Sequence, residues 1–227
     1  MTPQASPQSL RIVKAGVCGL LVIALSGCVT ARVEEYMQDT LEMGDGESVV
    51  ILTNRQDAVI ETEDSFSECL YGQLRSRAGD VNIVSENSFK DAMFPWFEPR
   101  LAPTRAEAVT SLLEEPRIAA KVDEMNVRYL VWIHGESEAR NKQGVMTCTL
   151  SPAGGGCLGV LSWDNNSTYE ASIWDVQEGQ SMGIISAEAT GTSVIPALGV
   201  PLPLIARTKS ASCKSLGQQL GELLTGP

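Results

Sequence analysis

Short apolar runs separated by polar segments predict the strands of a sheet. The run 49–52 is continuous, which is typical of a strand that is buried on both faces. The run 127–134 also has apolar residues on both faces, so it predicts a strand at the centre of the sheet. A short strand is predicted at 81–84, and an antiparallel hairpin is predicted from 169–176 and 181–189.

Two long segments have apolar residues at helical spacing. The first begins after Thr62, which can cap a helix, and ends at Gly79, which permits a left-handed turn. The second covers residues 208–224 near the end of the chain. Because Cys69 and Cys213 share the spacing of the leucines in their segments, we expect both cysteines to point towards the core.

The order of these elements predicts the fold class. Strands and helices alternate first, and a strand, a hairpin and a final helix follow, which indicates an α+β fold. We expect a single mixed sheet of about five strands, with the helices packed mainly on one of its faces. The fold is predicted to occupy residues 48–227 as one α/β domain, after a polar tether at 28–47 that ends in glycines.

The amino-terminal residues have the composition of an export signal. Arg11 and Lys14 precede an apolar run at 15–25, and small residues follow that run. This layout is that of a secretory signal peptide at 1–27. The apolar run is too short to cross a bilayer, because a transmembrane helix needs about 20 apolar residues.

The signal peptide is followed by a cysteine in a specific context. The string Leu25-Ser26-Gly27-Cys28 resembles the lipobox of bacterial lipoproteins, in which the cysteine is acylated and becomes the first residue. The resemblance implies that Cys28 is acylated, with chains such as palmitate, and anchors the protein to a membrane. Residue 29 is valine and not aspartate, which in enteric lipoproteins implies the outer membrane. We therefore expect a protein at the periplasmic face of that membrane.

The charge balance narrows the range of partners. The whole chain has a net charge of −11, and removal of the leader with its two basic residues gives −13. A chain that is so acidic and has no long basic cluster does not suit a phosphate backbone, so we expect no nucleic-acid partner. General attraction to anionic lipid is disfavoured for the same reason, so the acyl chains must supply the membrane affinity.

Four cysteines remain in the mature chain besides the acylated one. An even number in an exported chain predicts two disulfides. Cys148 and Cys157 flank a glycine-rich turn, so we expect them to pair. Cys69 then pairs with Cys213, which requires the first and last helices to lie side by side. Because no Cys-x-x-Cys motif occurs and His134 is the only histidine, we expect neither a metal site nor a cofactor.

The sequence offers few candidate catalytic groups. His134 lies near Glu136 and Glu138, which on paper is a general-base arrangement. We interpret His134 as a solvated histidine at the end of a strand, since no serine or cysteine lies at motif spacing. The glycines at 154–156 lack the Lys-Ser or Lys-Thr of a phosphate loop, so they predict a tight turn. We therefore assign no catalytic residue.

The apolar segment 194–206 contains three prolines, which exclude it from a central strand. Two interpretations remain open, namely a buried connection and an exposed docking surface. In the second case we expect this segment to form one surface with the apolar segment 158–163. The residues of this possible docking surface are Leu202, Leu204, Leu158 and Trp163.

Two strings in the chain resemble parts of known envelope proteins. VRYLVWIHG, followed by YEASIWDVQEG, is similar to the periplasmic α/β domain of curli-secretion lipoproteins and to the amino-terminal domain of TolB. The resemblance covers residues 48–224 in the order of elements, and at residue level it consists of YLV and DVQEG. Our predicted elements include none of the long membrane-crossing hairpins with which curli-secretion lipoproteins build a pore.

These features favour one function and leave two alternatives. We expect a lipid-anchored binding or assembly lipoprotein without catalytic activity, held by its amino-terminal lipid and partnered by an unknown envelope protein. The first alternative is an envelope hydrolase that uses His134. The second is a subunit of a secretion assembly.

Overall fold

The computed structural model describes residues 29–53, 64–79, 81–97, 108, 111–112, 115–152 and 154–226. The predicted signal peptide and Cys28 lie outside these residues. Within them, one sheet of six strands is accompanied by four helices. The architecture is therefore α+β with a mixed sheet, as the order of elements predicts.

The sheet contains both parallel and antiparallel neighbours. Its strands are β1 (Val29–Met37), β2 (Ser48–Thr53), β3 (Asn82–Val84), β4 (Val127–Ser151), β5 (Gly154–Asp175) and β6 (Gln180–Pro201). Across the sheet they lie in the order β1-β6-β5-β4-β2-β3. β2 runs parallel to both β3 and β4. Two residues separate β4 from β5 and four residues separate β5 from β6, so these neighbours are antiparallel hairpins.

Helices cover both faces of the sheet. They are α1 (Asp64–Arg77), α2 (Glu86–Ala92), α3 (Pro116–Glu124) and α4 (Thr208–Thr225). α1 and α4 share a core with Val49 and Ile51, whereas α2 and α3 share a second core with Val50 and Leu52. The prediction that the helices pack mainly on one face is therefore wrong. Because β2 and β4 are apolar on both faces, each face needs a cover that excludes water.

The number and length of the strands also differ from the prediction. The sheet has six strands and not about five, because residues 29–37 of the predicted tether form β1. β4 continues beyond the predicted strand 127–134, and at residues 135–144 its side chains on both faces are largely exposed. β4 has 25 residues and β5 has 22, so both strands are much longer than the predicted elements.

The described residues form two compact units. The hairpin unit consists of Val29 and of residues 139–165 and 191–207, and the layered unit consists of residues 30–138, 166–190 and 208–226. Strands β4, β5 and β6 contribute residues to both units. The boundaries of leader, tether and domain stay predictions.

The layered unit holds both hydrophobic cores. Phe66 of α1 stacks on Tyr169 of β5 with 3.5 Å between the ring centroids. A disulfide joins Cys69 of α1 to Cys213 of α4, with 6.4 Å between the Cα atoms. This is the pair that the sequence predicts, and it fits the helical spacing that turns both cysteines inwards. The disulfide thus joins the two helices that cover one face.

In the hairpin unit, the backbones of β4 and β5 lie close together. A disulfide joins Cys148 of β4 to Cys157 of β5, the second predicted pair, with 4.0 Å between the Cα atoms. Gly144 and Gly159 have φ values of +94° and +136°, and a Cβ on either would lie 2.1 Å from a carbonyl oxygen of the facing strand. Both positions therefore require glycine.

Residues 194–206 form a second, shorter hairpin in the same unit. Val194 pairs with Leu204 in antiparallel fashion, and the amide of Leu202 donates to the Pro196 carbonyl at 2.9 Å. Among the described residues, no helix is long and apolar enough to cross a membrane.

Candidate functional site

His134 is the natural starting point for a search for chemistry. It lies within β4 and not at a strand end, and its side chain is 40% exposed. Its Nε2 lies 3.4 Å from Oε1 of Glu170 on β5. Among the described residues, no hydroxyl lies within hydrogen-bonding distance of the imidazole. The structure therefore shows an exposed His–Glu pair and supplies no nucleophile beside it.

A row of hydroxyl groups lies further along the same two strands. Ser137 Oγ is 2.8 Å from Ser167 Oγ and 3.1 Å from the Tyr169 hydroxyl, and Ser167 Oγ is 2.7 Å from Thr208 Oγ1. Thr208 is the first residue of α4, so the row fastens this helix to β4 and β5. Each hydroxyl is engaged by another, which favours a structural role.

A second buried polar cluster surrounds Glu86 at the start of α2. Its carboxylate accepts from Thr53 Oγ1 at 2.7 Å and from Lys90 Nζ at 2.5 Å. The Tyr71 hydroxyl donates to the Ile51 carbonyl at 2.9 Å and accepts from the Glu86 amide at 3.0 Å. Burial raises the pKa of Tyr71 to about 12, so this hydroxyl stays a neutral donor. The cluster links β2 to the two helices α1 and α2.

Asp164 is a carboxylate of the hairpin unit that accepts hydrogen bonds from two side chains. It accepts from Asn141 Nδ2 at 3.0 Å and from Thr192 Oγ1 at 2.9 Å. These two hydrogen bonds favour the charged form and lower the pKa of Asp164 below its ordinary value. No group of three or more potential metal ligands occurs among the residues that the structure describes.

Exposed apolar side chains are the unusual feature of the hairpin unit. Eleven large apolar side chains are exposed in the described part of the chain, and eight of them lie in this unit. Leu150 is 95% exposed and Leu198 is 89% exposed. Exposed apolar residues that cluster in this way mark interaction surfaces in soluble proteins. The eight are Val145, Leu150, Leu158, Val160, Leu198, Val200, Leu202 and Ile205.

The four predicted docking residues all lie in the hairpin unit, but their exposure differs. Leu158 is 68% exposed and Leu202 is 57% exposed. Leu204 and Trp163 are half-buried, and the indole Nε1 of Trp163 donates to Asn165 Oδ1 at 3.1 Å. The sequence analysis missed Leu150, and it included Leu198 only as part of the segment 194–206.

One sequence signal could have singled out Leu150 and Leu198. No charged residue occurs at 143–163 or at 189–206, and Leu150 and Leu198 fall within these two stretches. Exposed strands usually alternate apolar with charged or polar residues. Two uncharged stretches of this length therefore mark an unusual surface.

Comparison with known proteins gives no family for this chain. No family model matches it, and no curated protein matches it. Among solved structures, the PelC dodecamer from Paraburkholderia phytofirmans is similar at 15% identity and a TM-score of 0.38, over 87% of this chain and 99% of that chain. A variant of the same PelC has 15% identity and a TM-score of 0.37, over 87% of this chain and 100% of that chain. Neither similarity is close enough to assign a fold family or a function.

Proposed function

We propose that this chain is a lipid-anchored binding or assembly protein of the cell envelope, without catalytic activity. It is held at the periplasmic face of the outer membrane by Cys28, and its hairpin unit docks another envelope protein. The concentration of exposed apolar side chains in that unit carries the proposal, since eight of the eleven lie there. The predicted lipobox supports the location.

The anchor can be tested on the full chain. Cys28→Ser removes the thiol that would be acylated, and the charge of the chain gives it no other general affinity for anionic lipid. The expected result is release of the protein from the membrane fraction into the soluble periplasm. Cys148→Ser is the matched control and should leave fractionation unchanged. Retention of the Cys28→Ser protein in membranes would contradict the anchor.

A test of the docking surface needs a variant that makes exposed side chains polar and leaves the buried side chains unchanged. Leu158→Ser combined with Leu202→Ser suits this purpose, because both side chains are more than half exposed, at 68% and 57%. We expect chemical crosslinking in membranes to lose a partner band while the melting temperature stays constant. Ile184→Ser is the control, because this residue is 39% exposed in the layered unit.

Each outcome of this experiment has a meaning. An unchanged crosslinking pattern would contradict docking of a protein on this surface. Loss of membrane affinity without loss of a crosslinked partner would assign the surface to lipid. A large fall in the melting temperature would show that the surface belongs to a core, as in the buried alternative.

A second candidate function is supported by the length of the hairpins. β4 and β5 have 25 and 22 residues. The uncharged stretch 143–163 covers the end of β4 and the start of β5, and the stretch 189–206 covers the end of β6 and the segment after it. Such hairpins suit a subunit of a secretion assembly. Light scattering of the purified protein would then give a ring-sized oligomer, whereas a monomer would contradict this candidate. Among the described residues, no nucleophile contacts His134 to favour the hydrolase alternative, which requires a large effect of His134→Ala on an activity.

A further inference from the structure

The hairpin unit contains a groove that the proposed function does not use. Its volume is about 410 Å³, within the range of ~300–1,000 Å³ of small-molecule sites. The groove lies along the paired strands β4 and β5. It is lined by Ala139, Lys142, Gln143, Gly144, Leu161, Ser162 and Trp163.

The walls of the groove follow from the pairing of the two strands. A Cβ on Gly144 would approach the Val160 carbonyl and the Cα of Leu161, so Gly144 lies opposite Leu161. The missing side chain at 144 leaves a hollow on the face that carries Leu161 and Trp163, since residues two apart share a face. The hydrogen bond from Trp163 to Asn165 fixes the indole as an apolar wall.

The charge of the groove is opposite to that of the chain. Lys142 is the only charged residue in its lining, although the chain has a net charge of −11. Among the described residues, Lys142 has no ion-pair partner. Asp164 does not line the groove, and its two carboxylate oxygens accept hydrogen bonds from Asn141 and Thr192. An apolar groove with one lysine at its wall complements an apolar chain with one anionic end.

We propose that this groove binds a single-chain anionic lipid. The hydrocarbon chain lies along Leu161 and Trp163, and the anionic head group contacts the ammonium group of Lys142. The hydrophobic effect supplies the affinity for the chain, and the charge-assisted hydrogen bond selects the head group. This site does not depend on acylation of Cys28, so it can be tested whether or not the protein is anchored.

The test uses dibrominated stearate, because bromine quenches the fluorescence of a tryptophan only on contact. Trp163 is the only tryptophan of the hairpin unit. The protein is the full mature chain with Cys28→Ser, so that no acyl chain of its own fills the groove. We expect saturable quenching that Trp163→Phe removes, whereas the other three tryptophans are not quenched.

A separate pair of matched variants tests whether Lys142 selects the anionic head group. Lys142→Gln should weaken stearate binding about tenfold, as expected for loss of a hydrogen bond between charged groups. Arg207→Gln is the control, because it removes an exposed cation of the same unit outside the groove. Dibrominated stearyl alcohol, which has no charge, should bind about tenfold more weakly than stearate and should be insensitive to Lys142→Gln.

Several results would overturn the proposal. Quenching that persists in Trp163→Phe would show that stearate binds elsewhere. Equal loss of stearate affinity in Arg207→Gln and Lys142→Gln would show that Lys142 does not select the head group. Quenching only at stearate concentrations at which stearate aggregates would show that no single molecule is bound. Binding by the Cys28→Ser chain but not by the acylated protein in nanodiscs would assign the groove to the protein's own anchor. If Cys28 is not acylated, the wild-type mature chain should bind stearate like Cys28→Ser, which separates failure of the anchor from failure of the groove.

Discussion

The layered unit and the hairpin unit are both rich in strands, but they differ in whether their large apolar side chains are buried or exposed. In the layered unit the apolar residues form two cores, one on each face of the sheet, and each core has two helices. In the hairpin unit the described residues include no helix, and Leu150 and Leu198 are almost fully exposed. A strand can carry apolar residues on either face, but only a cover of packed side chains turns them into a core.

The largest expected difference between the units lies in their disulfides. Cys69 and Cys213 are 144 residues apart, whereas Cys148 and Cys157 are 9 apart. In the chain-entropy model the first crosslink stabilises by about 5 kcal/mol and the second by about 2–3 kcal/mol. Replacing each pair by alanine and measuring unfolding in urea should reproduce this order. Equal losses would show that the short loop contributes through native packing.

Truncation of leucines gives the next contrast. Leu216 of α4 is fully buried, so Leu216→Ala should reduce the free energy of unfolding by about 2–5 kcal/mol. Leu150→Ala removes a side chain that is 95% exposed and should change it by less than about 0.5 kcal/mol. Thermal unfolding of both variants checks the prediction. A large loss for Leu150→Ala would mean that this side chain is packed in the native protein.

Glycine substitutions should have opposite signs in the two units. Gly144 in the hairpin unit has a left-handed φ, and a Cβ there would lie 2.1 Å from a carbonyl oxygen. Gly144→Ala should therefore lower the free energy of unfolding by about 1–3 kcal/mol. Gly72→Ala in α1 meets no atom within 4 Å and should stabilise by about 0.4–1 kcal/mol. Hydrogen exchange should report faster amides in β4 and β5 for Gly144→Ala, and unchanged exchange there for Gly72→Ala.

The smallest expected effect is electrostatic. The pKa of Asp164 is lowered in the folded protein by hydrogen bonds from Asn141 and Thr192. Its contribution to stability is therefore present above the ordinary pKa of aspartate and is lost as the pH falls through the folded pKa. NMR titration of the carboxyl carbon should show the low pKa, and Thr192→Val should raise it. An ordinary pKa in the wild type would mean that these bonds do not form.

The parts of the fold that the sequence predicted well are those with a repeating apolar pattern. The final helix is predicted at 208–224 and observed at Thr208–Thr225, because its leucines repeat at helical spacing. The predicted hairpin around 177–180 matches the turn between β5 and β6, since Gly179 has a φ of +66°. In both cases local chemistry and packing agree.

The parts that were missed carry no such pattern. β1 and residues 135–144 are largely exposed, so their strand conformation depends on pairing with distant strands. Covering of both sheet faces depends on where α2 and α3 pack, which the spacing within each helix does not specify. In the candidate docking surface, Leu150 was missed and Leu198 was not singled out within 194–206, because apolarity alone does not distinguish a buried leucine from an exposed one.

The position of β1 has a consequence for the order in which the chain can fold as it emerges amino end first. The first strand lies beside the last one, β6, and the first helix is crosslinked to the last helix by Cys69 and Cys213. Neither partner exists until almost the whole chain has emerged. β1 and α1 must therefore wait for their partners, so completion of this sheet edge and of the Cys69–Cys213 crosslink is a late step in folding.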